Sequence, residues 1–250
     1  MQETKSLVRL NRSNSAEDVS RQVKQHGVVV IDDFCEDLES LKKEANRMLD
    51  NLSHREQYSF GRAASMRNPK EFKDYPFLVK YFTQPFMEST TKDYLGENYL
   101  MLDSLYVTHE TKATEDIARN AYPHFDRDMT FKFFIYLSDV TADDGAFVCI
   151  PGTHLLGKEL REKAWKETGD YRKVRNRIFH DYDNLDFKES DLLPVEGKAG
   201  TLIVFDSDTF HAGGNIKPGH ERFIIRSHNS VSKTSTLFTR IKNRVYRALN

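Results

Sequence analysis

From residue 98 onward the chain is written in short apolar runs separated by Gly- or Pro-bearing turns, and that punctuation constrains the fold more than any other feature. Leu100–His109, Thr130–Leu137, Ala146–Ile150, Thr201–Phe205 and Arg222–His228 each have strand length, with Gly145, Pro151-Gly152, Gly200 and Pro218-Gly219 between them. Runs this short, rich in β-branched and aromatic residues, suit sheets packed face to face. The 17 Phe and 11 Tyr supply the large side chains such a core needs. The first hundred residues read differently. Ser15 with Asp18 starts a helix over 15–26 that stops at Gly27, and Val28–Ile31 follows as a short buried strand. Leu38, Leu41, Ala45, Met48 and Leu49 line one face of a helix from Glu36 to Leu52, and a further helical region over 77–95 ends at Gly96. The expected fold is mainly β with flanking helices: a barrel-like sandwich closed by helices.

The 250 residues contain no repeat, low-complexity tract or linker, so one domain is expected over 1–250. Its parts are a helical region over about 1–97, a strand-rich core over 98–229, and a basic helix over 233–249 bearing Arg240, Lys242, Arg244 and Arg247. Within the core, residues 154–192 form an insertion dense in Lys, Arg, Glu and Asp. It leaves after Pro151-Gly152 and returns just before the run that holds His211. It reads either as a solvated helical decoration or as a lid that orders over substrate. Gly152 and Gly157 read as loop punctuation.

Charge excludes some functions. With 37 basic and 38 acidic side chains the net charge is −1, which gives no global attraction for nucleic acid or an anionic membrane. No run approaches the roughly 18 apolar residues of a membrane span, and Met1-Gln2-Glu3 leads into polar sequence. Cys35 and Cys149 cannot form a disulfide framework, and Cys149 lies in an apolar run where a buried thiol is expected. A soluble, cytoplasmic protein with a small-molecule partner fits these observations.

Nine histidines must then be sorted. His124-Phe125-Asp126 places an imidazole and a carboxylate at i and i+2, and in an extended segment both point to one face. His211 closes the run Thr201–His211. Two His and one carboxylate on one side of an ion leave positions open, an arrangement suited to Fe(II) that binds a keto acid and O₂. His54-Arg55-Glu56 looks similar but lies in polar sequence with no strand pattern. Eleven positions after His211, Arg222 heads an apolar strand, where burial calls for an anionic partner such as a dicarboxylate co-substrate. Arg226 shares that face, so it either faces the same cavity or is a solvated strand charge. Lys132 shares a face with Phe134 and Tyr136 and is either a cavity residue in contact with the co-substrate or a charge at the strand entrance. Tyr136, with Arg226, is a candidate for substrate contact. His154 reads as a structural hydrogen-bonding residue. His109, His180, His220 and His228 read as surface or packing histidines.

The order His124-Phe-Asp126, Phe134–Val140, Asp144-Gly145, Ile150-Pro-Gly-Thr-His154, Gly200–Phe205, His211-Ala-Gly-Gly-Asn215 and Arg222 resembles the phytanoyl-CoA dioxygenase-like family of 2-oxoglutarate oxygenases. The resemblance spans about residues 100–229, with a looser match around Gly27. It implies a double-stranded β-helix (jelly-roll) core, iron at His124, Asp126 and His211, and the far carboxylate of 2-oxoglutarate on Arg222. It also implies substrate oxidation by O₂ coupled to release of succinate and CO₂, with hydroxylation as the default outcome. Because Asp126 is present, the site lacks the empty ligand position of related halogenases. Two rival readings are a cupin-type metal protein that does not use 2-oxoglutarate and a catalytically silent binding module. Arg222 counts against the first and the intact ligand set against the second. Substrate choice is expected to fall to Arg62–Arg67, the 110–122 loop and the insertion, whose polarity favours a polar or conjugated metabolite.

Overall fold

The computed structural model describes residues 6–52, 57–58, 61–67, 69–111 and 122–231. The basic helix expected over 233–249, most of the 110–122 loop and His54-Arg55-Glu56 lie outside the described residues. In chain order the elements begin β1 (Arg9–Asn11), α1 (Ala16–His26), β2 (Val28–Asp32), α2 (Leu38–Leu52), β3 (Gln57–Tyr58) and β4 (Gly61–Met66). Three helices follow, α3 (Pro69–Phe72), α4 (Pro76–Phe82) and α5 (Pro85–Leu95), then β5 (Tyr99–Thr111), β6 (Phe131–Tyr136) and β7 (Phe147–Ile150). The insertion contributes α6 (His154–Thr168) and α7 (Ile178–Asp181), and the chain closes through β8 (Leu193–Val195), β9 (Leu202–Asp206), β10 (Phe210–Gly213) and β11 (Glu221–Val231).

The strands form an eight-stranded sheet, ordered β1-β2-β9-β6-β11-β5-β4-β3, and a three-stranded sheet, ordered β10-β7-β8. Together they build the jelly-roll core. Strand alternation sorts the side chains into layers. Phe131, Phe133 and Ile135 of β6, Leu202 and Val204 of β9 and Phe223 and Ile225 of β11 face outward, into a core shared with Val19, Leu41, Met48 and Val79 of the N-terminal helices. Phe134, Tyr136, Ile203, Phe205 and Ile224 face inward and meet Phe147, Cys149 and Val195 of the smaller sheet.

Several local features follow from sequence chemistry. Ser15 and Asp18 form a reciprocal capping box at the start of α1, and Gly27 ends that helix at φ 76°. The helical region expected over 77–95 is two helices, because Pro85 lacks an N–H and takes the first turn of a new helix. Arg62–Met66 is not a loop but most of β4, paired along β5. Its Ala-Ala-Ser sequence has little strand propensity, and pairing with the long β5 overrides that. The run Thr201–His211 divides between the two sheets. The chain leaves β9 at Asp206, turns through Ser207–Thr209 with the Thr209 N–H donating to the Asp206 carbonyl at 2.9 Å, and enters β10.

The insertion has an inner apolar face. Leu156, Leu160 and Ala164 of α6, with Phe179, Tyr182 and Phe187, pack on a small core of Phe125, Ile150, Val174, Ile178 and Phe210. Charged residues outnumber this stripe in the sequence, which hides its helical spacing. Gly157 is accordingly a helical contact residue and not loop punctuation: a Cβ there would lie 1.9 Å from the Asp208 carbonyl oxygen. Gly157→Ala is therefore expected to cost about 1–3 kcal/mol in urea unfolding. Gly152→Ala, which has open space but φ +83°, is expected to cost only the left-handed backbone strain of about 1–2 kcal/mol.

Candidate metal centre and its cavity

His124 lies outside the named strands but pairs with His211 of β10 as an isolated antiparallel bridge. The His124 N–H donates to the His211 carbonyl at 2.9 Å and the His211 N–H to the His124 carbonyl at 2.8 Å. The Asp126 N–H donates to the Ser207 carbonyl at 2.9 Å, so Asp126 is fixed to the turn between β9 and β10. Phe125, between the two, points the other way into the core beneath the insertion. The expected i, i+2 geometry is therefore present in an extended segment.

Both imidazoles are oriented by their own chain. The Nδ1 of His124 lies 2.7 Å from the Tyr122 carbonyl and that of His211 lies 2.6 Å from the Thr209 carbonyl. A carbonyl only accepts, so Nδ1 carries the proton and each Nε2 presents a lone pair. Those Nε2 atoms stand 3.7 and 3.8 Å from Asp126 Oδ1. One ligand atom from each of the three residues falls within 4.8 Å of the others. Burial holds both rings below the usual histidine pKa, and His211 is pushed further down by His124 and Lys132. Neutral rings are the ligand form.

The other oxygen of Asp126 is occupied. Lys132 Nζ lies 2.5 Å from Oδ2, and Thr130 Oγ1 donates to it at 3.4 Å. Burial works against the Asp126 charge, but the Lys132 ammonium beside it outweighs that and holds the carboxyl well below its ordinary value. The carboxylate is thus divided, with Oδ2 on the ammonium and Oδ1 facing the two imidazoles.

The insertion supports this centre from behind. The Phe125 N–H donates to the Asn176 carbonyl at 3.2 Å, Asn176 Nδ2 donates to the Phe125 carbonyl at 2.7 Å, and the Ile178 N–H donates to the Pro123 carbonyl at 2.8 Å. Close approach at Gly157 lets Arg161 of α6 reach the buried Asp208 in the turn before His211, with bonds of 2.6 and 2.8 Å.

In front of the centre opens a cavity of about 230 Å³, small for a ligand site. Lys132, Tyr136, Arg222 and Arg226, all singled out from the sequence, line it. Arg222 is buried; its Nε donates to Glu110 at 3.0 Å, while Nη2 also bonds Glu110 and Nη1 bonds the Gly145 carbonyl. Glu110 stands directly opposite Arg222 in the β5–β11 register, a partner that one-strand reasoning could not supply. The terminal edge of the guanidinium faces Gly213, where a Cβ would sit 3.1 Å from Nη2 and 3.5 Å from Nη1. The missing side chain leaves a cradle over two donors that suits a carboxylate. The hydroxyl of Tyr136 donates to the Val195 carbonyl at 2.8 Å and accepts from the Phe147 N–H at 3.1 Å, so it ties the sheets together while the ring lines the wall.

His228, read from the sequence as a surface or packing histidine, lines this cavity. It sits opposite Lys132 on β6 and its ring lies 4.7 Å from that of Tyr106. It lies two residues after Arg226 and so shares that strand face, a signal that alternation carries and that the reading as a surface or packing histidine passed over. Among the remaining histidines, His109 meets Glu221, His180 meets Asp181 and His220 meets Asp144, while His154 Nε2 lies 3.1 Å from the Lys24 carbonyl. The first three fit a surface or packing role and the last a structural one.

A family model described as phytanoyl-CoA dioxygenase (PhyH) matches residues 23–224. No protein of curated function matches the sequence. Among solved structures, the non-heme alpha-ketoglutarate-dependent epimerase SnoN from nogalamycin biosynthesis aligns with TM-score 0.56 and 16% identity, over 86% of this chain and 81% of that one. The non-heme alpha-ketoglutarate-dependent carbocyclase SnoK of the same biosynthesis gives 0.60 and 16%, over 87% and 85%. HygX from Streptomyces hygroscopicus, with nickel and 2-oxoglutarate bound, gives 0.58 and 16%, over 88% of each. Among the described residues, no helix is long and apolar enough to cross a membrane.

The burial of His228 has a measurable consequence. Burial first, then Lys132 and Arg226, push its pKa well below the ordinary value of 6.5. The unfolded chain therefore takes up a proton near pH 6.5 that the folded chain refuses, so the stability tied to this group is full above that pH and drains as pH falls towards the folded value. Urea unfolding of wild type and His228→Gln from pH 7.5 to 5 is expected to show a shallower loss in the variant. The slopes should differ by up to about 1.4 kcal/mol per pH unit.

Proposed function

This chain belongs to the phytanoyl-CoA dioxygenase family, and from that premise we propose that it is a non-haem Fe(II)- and 2-oxoglutarate-dependent oxygenase acting on a small polar or conjugated metabolite. The observation that carries the reading is the meeting of two neutral imidazole Nε2 atoms and one carboxylate oxygen within 4.8 Å, beside a cavity that also holds a buried arginine. Hydroxylation is the outcome we assign.

His124, Asp126 and His211 would hold the iron, and Arg222 the far carboxylate of 2-oxoglutarate. Three features support the fit: Nε2 lone pairs set free by Nδ1–H bonds to carbonyls, Asp126 Oδ1 left open by Lys132, and the cradle at Gly213. Bound together, iron and 2-oxoglutarate supply oxidation of a substrate C–H bond by O₂ with release of succinate and CO₂. The protein's own groups bind, orient and shield. Glu110 and the Gly145 carbonyl fix the plane of the Arg222 guanidinium, so its free edge is preorganised for a carboxylate. Lys132 keeps Asp126 ionised and limits it to one ligand oxygen, which favours a site with open positions. Tyr136 shapes the wall through its ring, and Arg226 reaches the space left for substrate.

We keep the insertion as a closing element of the site. It bonds the backbone of the ligand segment, so closure and metal geometry are coupled. Amide exchange across 154–192 is expected to slow together with that of His124 and Phe125 when metal and 2-oxoglutarate bind. Exchange that changes at the ligand segment alone would leave 154–192 a fixed support and not a lid.

The proposal is tested by succinate formation from 2-oxoglutarate under Fe(II) and O₂. Single replacement of His124, Asp126 or His211 by Ala is expected to abolish it while circular dichroism stays native. Full iron-dependent turnover in Asp126→Ala would remove the assignment. Arg222→Ala is expected to weaken 2-oxoglutarate binding by about 2–5 kcal/mol, a roughly thirtyfold or greater rise in the concentration needed. Because that change also strands Glu110, the double variant Arg222→Ala/Glu110→Gln separates loss of the anchor from the cost of an unpaired buried carboxylate.

A further inference from the structure

The cavity holds one cation more than its anions can match. Lys132, Arg222 and Arg226 line it against Asp126 and Glu110. Each carboxylate is already taken, Asp126 by Lys132 at 2.5 Å and Glu110 by the buried Arg222. Arg226 has no carboxylate within ion-pair distance among the described residues, and its Nε is buried without a hydrogen-bond partner. Its guanidinium carbon sits 5.0 Å from the Tyr106 ring centroid and 5.3 Å from that of Phe134. Such aromatic faces tolerate a cation but satisfy none of its N–H donors. Next to it on the same strand face, His228 Nε2 is likewise buried without a partner. At the rim, Arg67 donates to the Tyr106 hydroxyl and lies over the same ring, 5.4 Å from its centroid. Iron(II) and the 2-oxoglutarate dianion cancel each other, so binding both leaves the excess on Arg226 unchanged.

We propose that Arg226, flanked by His228, is the anion subsite for the prime substrate, and that this substrate is a small molecule bearing one carboxylate. A carboxylate gives the planar guanidinium two parallel acceptors and brings the single negative charge the loaded cavity lacks. Neutral His228 adds an uncharged polar group at its side, and the rings of Tyr106 and Phe134 offer apolar walls for the carbon that joins the carboxylate. A phosphate monoester would bring more charge than Arg226 alone balances. This subsite rests on the reading of the site as an iron and 2-oxoglutarate centre, because the charge count includes both.

The test uses the full chain loaded with zinc as a diamagnetic substitute, saturated with 2-oxoglutarate and then titrated with acetate or inorganic phosphate. Nuclear magnetic resonance follows the arginine Nε–H signals, assigned through Arg226→Lys and Arg226→Gln. Acetate is expected to shift the Arg226 signal saturably, to bind about tenfold or more weakly to both variants, and to leave the 2-oxoglutarate affinity of both unchanged. The proposal is overturned if acetate leaves the Arg226 signal unmoved, if both variants bind acetate as wild type does, or if phosphate binds in preference to acetate. Loss of 2-oxoglutarate binding in Arg226→Gln would make Arg226 the co-substrate anchor and also overturns it. Failure of zinc-loaded wild type to bind 2-oxoglutarate overturns the iron and 2-oxoglutarate reading by itself, and the acetate arm in its absence still reports on Arg226.

Discussion

One backbone exchange holds the centre together: the paired hydrogen bonds between His124 and His211. Residues directly opposite in an antiparallel pair send their side chains to the same side, so this bridge sets two imidazoles next to each other, with ring centroids 4.5 Å apart. Alternation then brings Asp126 to the same face and sends Phe125 to the other. The smaller sheet supplies β10, the larger one supplies Lys132, and the insertion binds the back of the segment around Phe125. Three stretches far apart in sequence, around residues 122–132, 176–178 and 207–211, meet at this bridge. None of them forms the centre alone.

Charge is the second constraint. Three ion pairs lie in or beside the site: Lys132 with Asp126, Arg222 with Glu110 and Arg161 with Asp208. Buried pairs of this kind are poor sources of stability, because desolvation offsets most of their attraction. Their value here is position. Arg161 ties α6 to the turn that delivers His211, Lys132 holds one oxygen of Asp126 and leaves the other facing the two imidazoles, and Glu110 fixes the plane of Arg222.

The sequence exposes what is local and conceals what depends on pairing. His124-Phe125-Asp126 was legible because its geometry needs only an extended backbone, and the capping box at Ser15 because it closes within one turn. Arg222 was legible as a buried cation, but Glu110 was not, since it belongs to a strand whose register with β11 no short pattern encodes. His228 was within reach of the alternation that groups Arg222 with Arg226, and only its place opposite Lys132 across β6 and β11 belongs to register. The strand β4 escaped because Ala63, Ala64 and Ser65 carry little intrinsic preference and take their form from β5. The division of Thr201–His211 between two sheets is hidden because a single apolar run looks continuous until the Asp206–Thr209 turn is seen. In the insertion, Leu156, Leu160 and Ala164 keep helical spacing but are masked by the charges around them.

Alternation on β6 and β11 also separates the packing against the helices from the lining of the cavity. The outward residues Phe131, Phe133, Ile135, Phe223 and Ile225 are all apolar and face the helices. Inward, the same strands carry Lys132, Arg222, Arg226 and His228 among Phe134, Tyr136 and Ile224. A charged side chain in the middle of that outer face, where Phe133, Ile135 and Ile225 are fully buried, would have no partner and no water. On the inner face each has a counter-ion, an aromatic wall or the cavity itself. The two faces are one residue apart in sequence, so a register slip of one position would exchange them along the whole strand. The outer core thereby enforces the register on which the inner arrangement depends, and towards the end of β11 it gives way to the buried Ser227 and to Asn229, whose amide bonds Leu102 and Phe131 of the neighbouring strands.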